Sequence, residues 1–174
     1  MVIHPSFNHF SQVDLNAVVI KAVNQISGET PSHVMAITYG KLDNLDGDPE
    51  QLQLLIYDVL SNAVMFRKNA TANVTITSTV LKRNTFRSIE ERYKYEDYLK
   101  LEIQDDGIGF DPIYKHHIFE LFRKLDISNG QGLGLALCRK IAENHNGFIE
   151  ATSEKNVYTR ITVWLPLHQH PAGY

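Results

Sequence analysis

The stretch LKLEIQDDGIGFDPIYKHHIFELFRKLDISNGQGLGLALCRKIAENHN, residues 99–146, indicates the fold and a site together. It opens with apolar residues at every second position, the period of a β-strand, and this strand leads into the acidic, glycine-containing turn 105–109. Further on, the glycine-rich segment 130–134 runs directly into an apolar helical pattern. Free backbone N–H groups at a helix start attract phosphates. The two features together predict a nucleotide site, in which the acid accepts a hydrogen bond from the base and the glycine segment contacts the phosphates.

The chain as a whole has enough apolar material for one core. It has 174 residues, of which 43% are hydrophobic and 21% are charged, and division into two domains would leave each one marginal. We expect a single domain at residues 13–166, preceded by a linker remnant at 1–12 and followed by a loose tail at 167–174.

The composition also excludes several classes of protein. The net charge is -3 and the basic residues are scattered among acids, which argues against nucleic-acid binding. No apolar run reaches the length of a membrane span, and the N-terminus lacks the pattern of a signal peptide, so we expect no membrane contact and a cytoplasmic location. The single cysteine, Cys138, excludes an internal disulfide, and its place on an apolar helix side indicates a buried structural thiol.

The first half of the chain predicts two amphipathic helices with a strand between them. Asp14 is placed to cap the first helix, which ends near Gly28, and residues 33–39 form the strand. The second helix has the residues of a capped start: Asp48 as cap, Pro49 at the first position and Gln51 to complete a capping box. Its predicted buried face consists of Leu52, Leu55, Ile56, Val59, Leu60 and Ala63.

The second half predicts further strands and two helices. Residues 73–81 alternate as a strand, and the charged segment 83–97 indicates a solvated hairpin or loop. Gly147 is placed as the C-cap of the helix after the glycine-rich segment, and residues 148–152 and 160–165 form a closing hairpin. A short helix has the apolar side Ile113, Ile118, Phe119 and Phe122.

The order of these elements indicates the fold class. Helices and strands alternate early, whereas the last strands are joined by short or polar connections that suit antiparallel pairing. We therefore predict an α/β (α+β) two-layer sandwich with one mixed, mostly antiparallel sheet and helices on one face.

Four segments resemble the boxes of a known family. LIYDVLSNAVMF (55–66), DDGIGF (105–110), IFELFRKL (118–125) and GQGLGLALCRKIAENHNG (130–147) are similar, in order and spacing, to the N box, first glycine box, F box and second glycine box of bacterial sensor histidine kinases. The resemblance is to their ATP-binding catalytic domain and covers about residues 13–166. It implies the Bergerat-type sandwich shared by the gyrase, heat-shock-protein, histidine-kinase and mismatch-repair (GHKL) ATPases.

The resemblance assigns roles to individual residues. Asn62 takes the position whose amide oxygen coordinates Mg²⁺, although a lone helical Asn is ordinarily a surface or capping residue. Asp105 matches the acid that binds the adenine amine, and its alternative is a simple turn former. Gly107 and Gly109 would let the backbone approach the ligand without a Cβ.

The two remaining boxes lie later in the chain. Phe119 and Phe122 correspond to the F box, but core packing alone would explain their helical spacing equally well. The loop that faces the phosphates corresponds to Gly130, Gly132, Leu133 and Gly134. Competing nucleotide motifs fail on spacing, since no glycine loop ends in Gly-Lys-Ser or Gly-Lys-Thr and GQGLG lacks the Gly-x-Gly-x-x-Gly pattern.

The chain departs from the family at three places that bear on the chemistry of the site. Asp58 stands where an Asn is usual, and it can be a general base, as in ATP-hydrolysing cousins, an extra Mg²⁺ contact or a tolerated substitution. Met65 replaces a lysine that reaches the phosphates, which should weaken triphosphate binding unless Arg67 or Lys68 substitutes. The lid is short, with only residues 126–129 between the F box and the second glycine box, and can expose the γ-phosphate to water.

The eight histidines do not include a phosphoacceptor in its usual context, and we expect all of them to be ordinary surface or core residues. We favour a fragment of a longer kinase over a stand-alone domain, because the chain starts where the family's linker would deliver it, and we expect it to be monomeric by itself. The expected function is to bind ATP with Mg²⁺ and present the γ-phosphate to a histidine on a separate dimerisation domain, which then serves a response regulator. The alternatives are a catalytically silent protein-interaction module, or an ATPase or serine kinase with Asp58 as base.

Overall fold

The computed structural model describes residues 9–82, 97–120 and 134–169. Two short 3-10 turns, Pro112–Tyr114 and His117–Phe119, lie in the second described range. The helices and strands in these ranges are β1 (Ser11–Val13), α1 (Leu15–Glu29), β2 (Met35–Tyr39), β3 (Leu45–Gly47), α2 (Pro49–Met65), β4 (Ala72–Leu81), β5 (Tyr98–Asp105), α3 (Gly134–Asn144), β6 (Phe148–Glu154) and β7 (Tyr158–Pro166).

Five of the strands form one mixed sheet in the order β2-β4-β5-β7-β6. The pair β2 and β4 is parallel, and the other three pairs are antiparallel. Strands β1 and β3 form a separate antiparallel ribbon. The predicted two-layer sandwich with a mixed, mostly antiparallel sheet is confirmed.

Alternation along the central strands determines which face is buried. On β5, Leu99, Leu101 and Ile103 are almost fully buried and pair across the sheet with the buried β7 residues Leu165, Val163 and Ile161. Burial of each such side chain contributes roughly 1.5–3 kcal/mol. These residues join the apolar sides of α1, α2 and α3 in one core, which includes the whole predicted buried face of α2.

The helix starts agree with the sequence, except for the capping box. Asp14 caps α1, and Asp48 caps α2 by accepting from the backbone N–H groups of Glu50 and Gln51. The predicted return bond from the Gln51 side chain to the Asp48 N–H is wrong. Gln51 Nε2 donates to Asp48 Oδ2 instead (3.1 Å), because the Asp48 N–H donates to Nε2 of His145 (3.0 Å).

The end of α3 differs by one residue from the predicted C-cap. Asn146, with φ 58°, takes the left-handed position, while the N–H of Gly147 donates to the Ala142 carbonyl. Gly147 is required for a different reason, since a Cβ there would lie 1.9 Å from the Trp164 carbonyl oxygen. The glycine therefore allows β7 to pass close to the helix end.

Both ends of the predicted domain extend further than expected. Ser11–Val13, assigned largely to a linker, pairs with β3, so the folded unit begins before residue 13. The predicted loose tail is anchored at its start, because the Leu167 N–H donates to the Asp97 carbonyl and Gln169 Nε2 donates to the His145 carbonyl. Residues 1–8 and 170–174 lie outside the described ranges.

The predicted short helix around residues 113–122 is not one element. Ile118 and Phe119 are buried as expected, but Ile113 is 69% exposed because the segment forms two separate 3-10 turns. The charged segment lies outside the described residues at 83–96, as does Phe122. Within the described ranges, no helix is long and apolar enough to cross a membrane.

Candidate nucleotide site

Helix α2 carries two of the predicted site residues. Asp58 and Asn62 are one turn apart and therefore lie on the same side of the helix. Both are half-buried, while the neighbouring Val59 and Ala63 pack into the core. The helix thus places a carboxylate and an amide side by side at the margin of the core.

Asp58 is in an unusual environment for an acid. Its Oδ2 atom is buried and has no hydrogen-bond partner among the described residues. Burial raises the pKa of Asp58 to about 7. An unpaired carboxylate at this place is suited to take up a proton or a cation.

Cys138 of α3 lies near Asp58 and is fully buried, as predicted for a structural thiol. Its Sγ is 3.6 Å from the Leu55 carbonyl oxygen. Burial, with a further contribution from the Asp58 charge, raises the pKa of the thiol well above its ordinary value. The thiol is therefore held in its unreactive, protonated form.

Asp105, at the end of β5, has one oxygen engaged and one available. Its Oδ1 accepts a hydrogen bond from the Gly107 N–H (2.8 Å), and no other described residue bonds to its carboxylate. Burial raises its pKa to about 6; the Gly107 bond opposes this rise and the charge of Asp106 adds to it. The local bond holds Oδ1 and leaves Oδ2 without a hydrogen-bond partner among the described residues.

Asp106 has a different task, which the sequence did not reveal. It accepts hydrogen bonds from the N–H (2.9 Å) and Nδ2 (2.7 Å) of Asn73 at the start of β4. Burial opposes its ionisation, but the bonds from Asn73 prevail and lower its pKa. Asp106 therefore ties the turn to β4, while in the described part of the chain the carboxylate of Asp105 bonds only within the turn.

The two glycines of this turn allow other backbone segments of the chain to pack closely against it. A Cβ at Gly107 would lie 2.7 Å from the Phe66 carbonyl oxygen, which also accepts from the Ile108 N–H (3.0 Å). A Cβ at Gly109, whose φ is 60°, would lie 2.4 Å from the Glu154 carbonyl oxygen. The predicted reason, approach to a ligand, is thus not needed to explain either glycine. The turn is fixed between the end of α2 and β6.

The basic residues that follow Met65 are already engaged. Arg67 Nη1 donates to the Val64 carbonyl (2.7 Å), and Lys68 Nζ donates to the Asn156 carbonyl (2.8 Å). Met65 itself is 46% exposed. Each candidate replacement for a lysine at position 65 therefore holds part of the fold in the structure described.

The last two boxes are only partly described. Phe119 is buried in the core, which agrees with the packing interpretation. Helix α3 begins at Gly134, so the glycine-rich segment leads into a helix as predicted. Phe122, Gly130, Gly132 and Leu133 lie outside the described residues.

Residues 47–169 match the family described as histidine kinase-, DNA gyrase B-, and HSP90-like ATPase. The match includes α2, the turn after β5 and α3, and hence all the predicted site residues. The chain belongs to this family. Within it, the chain corresponds to the ATP-binding catalytic domain of sensor histidine kinases, as its relatives among these kinases show.

Relatives of this histidine-kinase domain occur in much longer proteins. Cyanobacterial phytochrome A of Nostoc is 29% identical over 158 residues, 83% of this chain and 19% of that protein. The circadian input-output histidine kinase CikA of Synechococcus elongatus is 30% identical, with 72% of this chain and 15% of the relative covered. The signal transduction histidine-protein kinase BarA of Escherichia coli is 31% identical, with 66% and 12% covered. The chain spans less than a fifth of each of these relatives.

Solved histidine-kinase structures share the fold. The mycobacterial sensor histidine kinase MprB has a TM-score of 0.70 at 21% identity, covering 92% of this chain and 99% of that one. Full-length ShkA, in complex with AMPPNP, has a TM-score of 0.73 at 19% identity, covering 94% and 32%. These likenesses confirm the sandwich independently of the site residues.

Proposed function

We propose that this domain binds ATP with Mg²⁺ and presents the γ-phosphate to a histidine on a separate dimerisation domain. A response regulator would then receive the phosphoryl group from that histidine. The observation that carries the proposal is the state of Asp105. Its Oδ1 is held by the Gly107 N–H while its carboxylate has no further described partner. The turn that carries it is docked on Phe66, at the end of the helix that bears Asn62.

The residues on α2 fit a magnesium ion. Mg²⁺ prefers oxygen ligands and usually keeps places for water and substrate phosphates. Asn62 offers an amide oxygen. The buried Oδ2 of Asp58 has no hydrogen-bond partner among the described residues, so a cation could neutralise it. No group of three or more His, Cys, Asp or Glu side chains that could hold a metal occurs in the described part of the chain. When bound, Mg²⁺ would neutralise charge on the phosphates.

The protein's own contribution to transfer is to position the nucleotide. Asp105 would select adenine by accepting from its exocyclic amine, and Asn62 would hold the metal and phosphates. Phosphoryl transfer depends mainly on such positioning and on charge stabilisation, so the domain needs no covalent intermediate of its own.

Thermal unfolding tests this proposal. ATP with Mg²⁺, at about one hundred times the dissociation constant, should stabilise the domain by about 2.7 kcal/mol, since a ligand that binds only the native state raises its stability. GTP should stabilise it less, and Asn62→Ala should remove the Mg²⁺-dependent part alone. Equal effects of ATP and GTP would contradict the assigned role of Asp105.

A second function, ATP hydrolysis, is favoured by the pKa of about 7 of Asp58. A carboxylate that exchanges a proton near neutral pH is suited to accept one from an attacking water. Phosphate release that disappears in Asp58→Ala, with ATP binding retained, would support it. Turnover that persists in the variant would exclude Asp58 as the base.

Met65 should limit the affinity for the triphosphate. We expect Met65→Lys to tighten ATP binding about tenfold, because a lysine there would add a charge-assisted contact to the phosphates that Arg67 and Lys68 do not supply. AMP, which lacks the outer phosphates, should gain much less. Met65→Gln is the matched neutral control, and an equal gain in Gln and Lys variants would show that charge at position 65 is irrelevant. Binding of each nucleotide is measured by calorimetry.

A further inference from the structure

His145, just after α3, is fully buried and both of its ring nitrogens are engaged. Its Nε2 is 3.0 Å from the backbone nitrogen of Asp48, and its Nδ1 is 2.8 Å from the Ile141 carbonyl oxygen. A carbonyl only accepts and a backbone N–H only donates. The ring is therefore neutral, with its proton on Nδ1 and with Nε2 as an acceptor.

The entering segment of the chain, residues 9–13, packs against this histidine and its partner. The ring of Phe10 lies 5.0 Å from the ring of His145, and the His9 N–H donates to Asp48 Oδ2 (3.2 Å). The neighbouring strand β3 ends at Gly47, where a Cβ would come within 3.3 Å of the imidazole. The fit around the ring is close. His9 and Phe10 contact Asp48 and His145, while Ser11–Val13 pair with β3.

The charged surroundings of His145 are simple. Among the charged side chains of the described residues, Asp48 alone influences the protonation of His145. Asp46, on β3, pairs with His168 (3.5 Å). His9 is exposed. Burial lowers the pKa of His145, against the opposing effects of the Ile141 carbonyl and Asp48.

We propose that His145 is an acid-sensitive latch that fastens residues 9–13 to the domain. A proton on Nε2 removes the acceptor for the Asp48 N–H and places two donors face to face. The ring must then leave its place between α2 and Phe10, and the entering segment is released. The five-stranded sheet does not include β1, and we expect it to stay folded when residues 9–13 are released.

The direction of the pH effect follows from the lowered pKa of His145. The latch is complete above the ordinary histidine pKa of about 6.5 and is lost as the pH falls towards the lowered native value. Asp105 acts in the opposite direction, because its raised pKa makes the folded state more stable in acid. Acid should therefore loosen residues 9–13 but not β5, at whose end Asp105 lies.

NMR tests the latch on the whole chain. At pH 7.5 the ring nitrogens of His145 should show the proton on Nδ1, and a proton on Nε2 would overturn the proposal. Between pH 7.5 and pH 5, hydrogen-exchange protection of the amides at 10–13 should fall about tenfold or more, while that of β5 is kept. Protection at 10–13 that does not change with pH would also overturn it.

Variants separate the latch from a general effect of acid. His145→Gln should lower protection at 10–13 already at pH 7.5 and make it insensitive to pH, whereas the exposed His168→Gln should behave as the wild type does. A pH response that survives in His145→Gln, or disappears in His168→Gln, contradicts the proposal. If His145→Gln does not fold, Phe10→Ala should loosen residues 9–13 at pH 7.5 while His145 keeps its tautomer. Unchanged protection in that variant counts against the latch.

Discussion

Asp105→Asn should lower the affinity for ATP about a hundredfold and leave the domain folded. The amide can keep the hydrogen bond from the Gly107 N–H only if its NH₂ group points at the ligand. A donor would then face the donating amine of adenine, and a loss of about 2.7 kcal/mol is the order expected for such a mismatch. Calorimetric titration with a non-hydrolysable ATP analogue measures the change.

The neighbouring acid supplies the matched control. The Asp106 carboxylate accepts hydrogen bonds from the backbone N–H and the side-chain amide of Asn73. Asp106→Asn should therefore lower the melting temperature. The affinity of the folded variant for ATP should change by less than about tenfold. If Asp106→Asn weakened binding more than Asp105→Asn, the assigned roles of the two acids would have to be exchanged.

The affinity for ATP should also depend on pH through Asp105. With a pKa of about 6, its carboxylate is ionised and a strong acceptor at neutral pH, and it becomes protonated as the pH falls through this value. Binding of the analogue should weaken below pH 6 in the wild type. In Asp105→Asn this part of the pH profile should be absent, and its persistence would assign the titration to another group.

Asp58→Asn should raise the stability of the domain at pH 8 by about 2 kcal/mol. Burial raises the pKa of Asp58 from 3.8 to about 7, so the folded state binds this proton more tightly than the unfolded state does. The stability that the proton provides is complete below the unfolded pKa and is lost as the pH rises through about 7. Asparagine carries no charge to bury, and solvent screening of a half-buried group keeps the gain moderate.

Urea unfolding of wild type and variant at pH 5 and pH 8 checks this expectation. The difference between the two proteins should be larger at pH 8. Glu50→Gln, an exposed acid on the same helix, is the control and should change stability by only a few tenths of a kcal/mol at either pH. An equal gain for Asp58→Asn at both pH values would mean that the charge of Asp58 is not its cause.

Local patterns explain why much of the fold could be predicted. Alternation at Leu99, Leu101 and Ile103 identified the central strand, and the caps Asp14 and Asp48 lie where the helices begin. These features depend on residues close together in the sequence. The faces that they bury then leave few ways of packing three helices on one sheet.

The features that were missed depend on residues far apart in the chain. Asp48 and His145 are 97 positions apart, and their bond replaces the expected capping box. The space at Gly147 is taken by the carbonyl of Trp164, which only the folded hairpin brings near. In the candidate site, the sequence assigned a role to Asp105 but none to Asp106, because the bonds of Asp106 depend on Asn73 at the start of another strand.

The central claim is that the turn after β5 and helix α2 form an adenine-nucleotide site. Calorimetric titration of the wild-type domain with a non-hydrolysable ATP analogue, with and without Mg²⁺ and beside the corresponding GTP analogue, tests it most directly. We predict saturable binding of the ATP analogue that Mg²⁺ strengthens and that the GTP analogue does not match. No binding by a demonstrably folded sample would contradict the account and would favour a protein-interaction module that keeps the boxes only as scaffold.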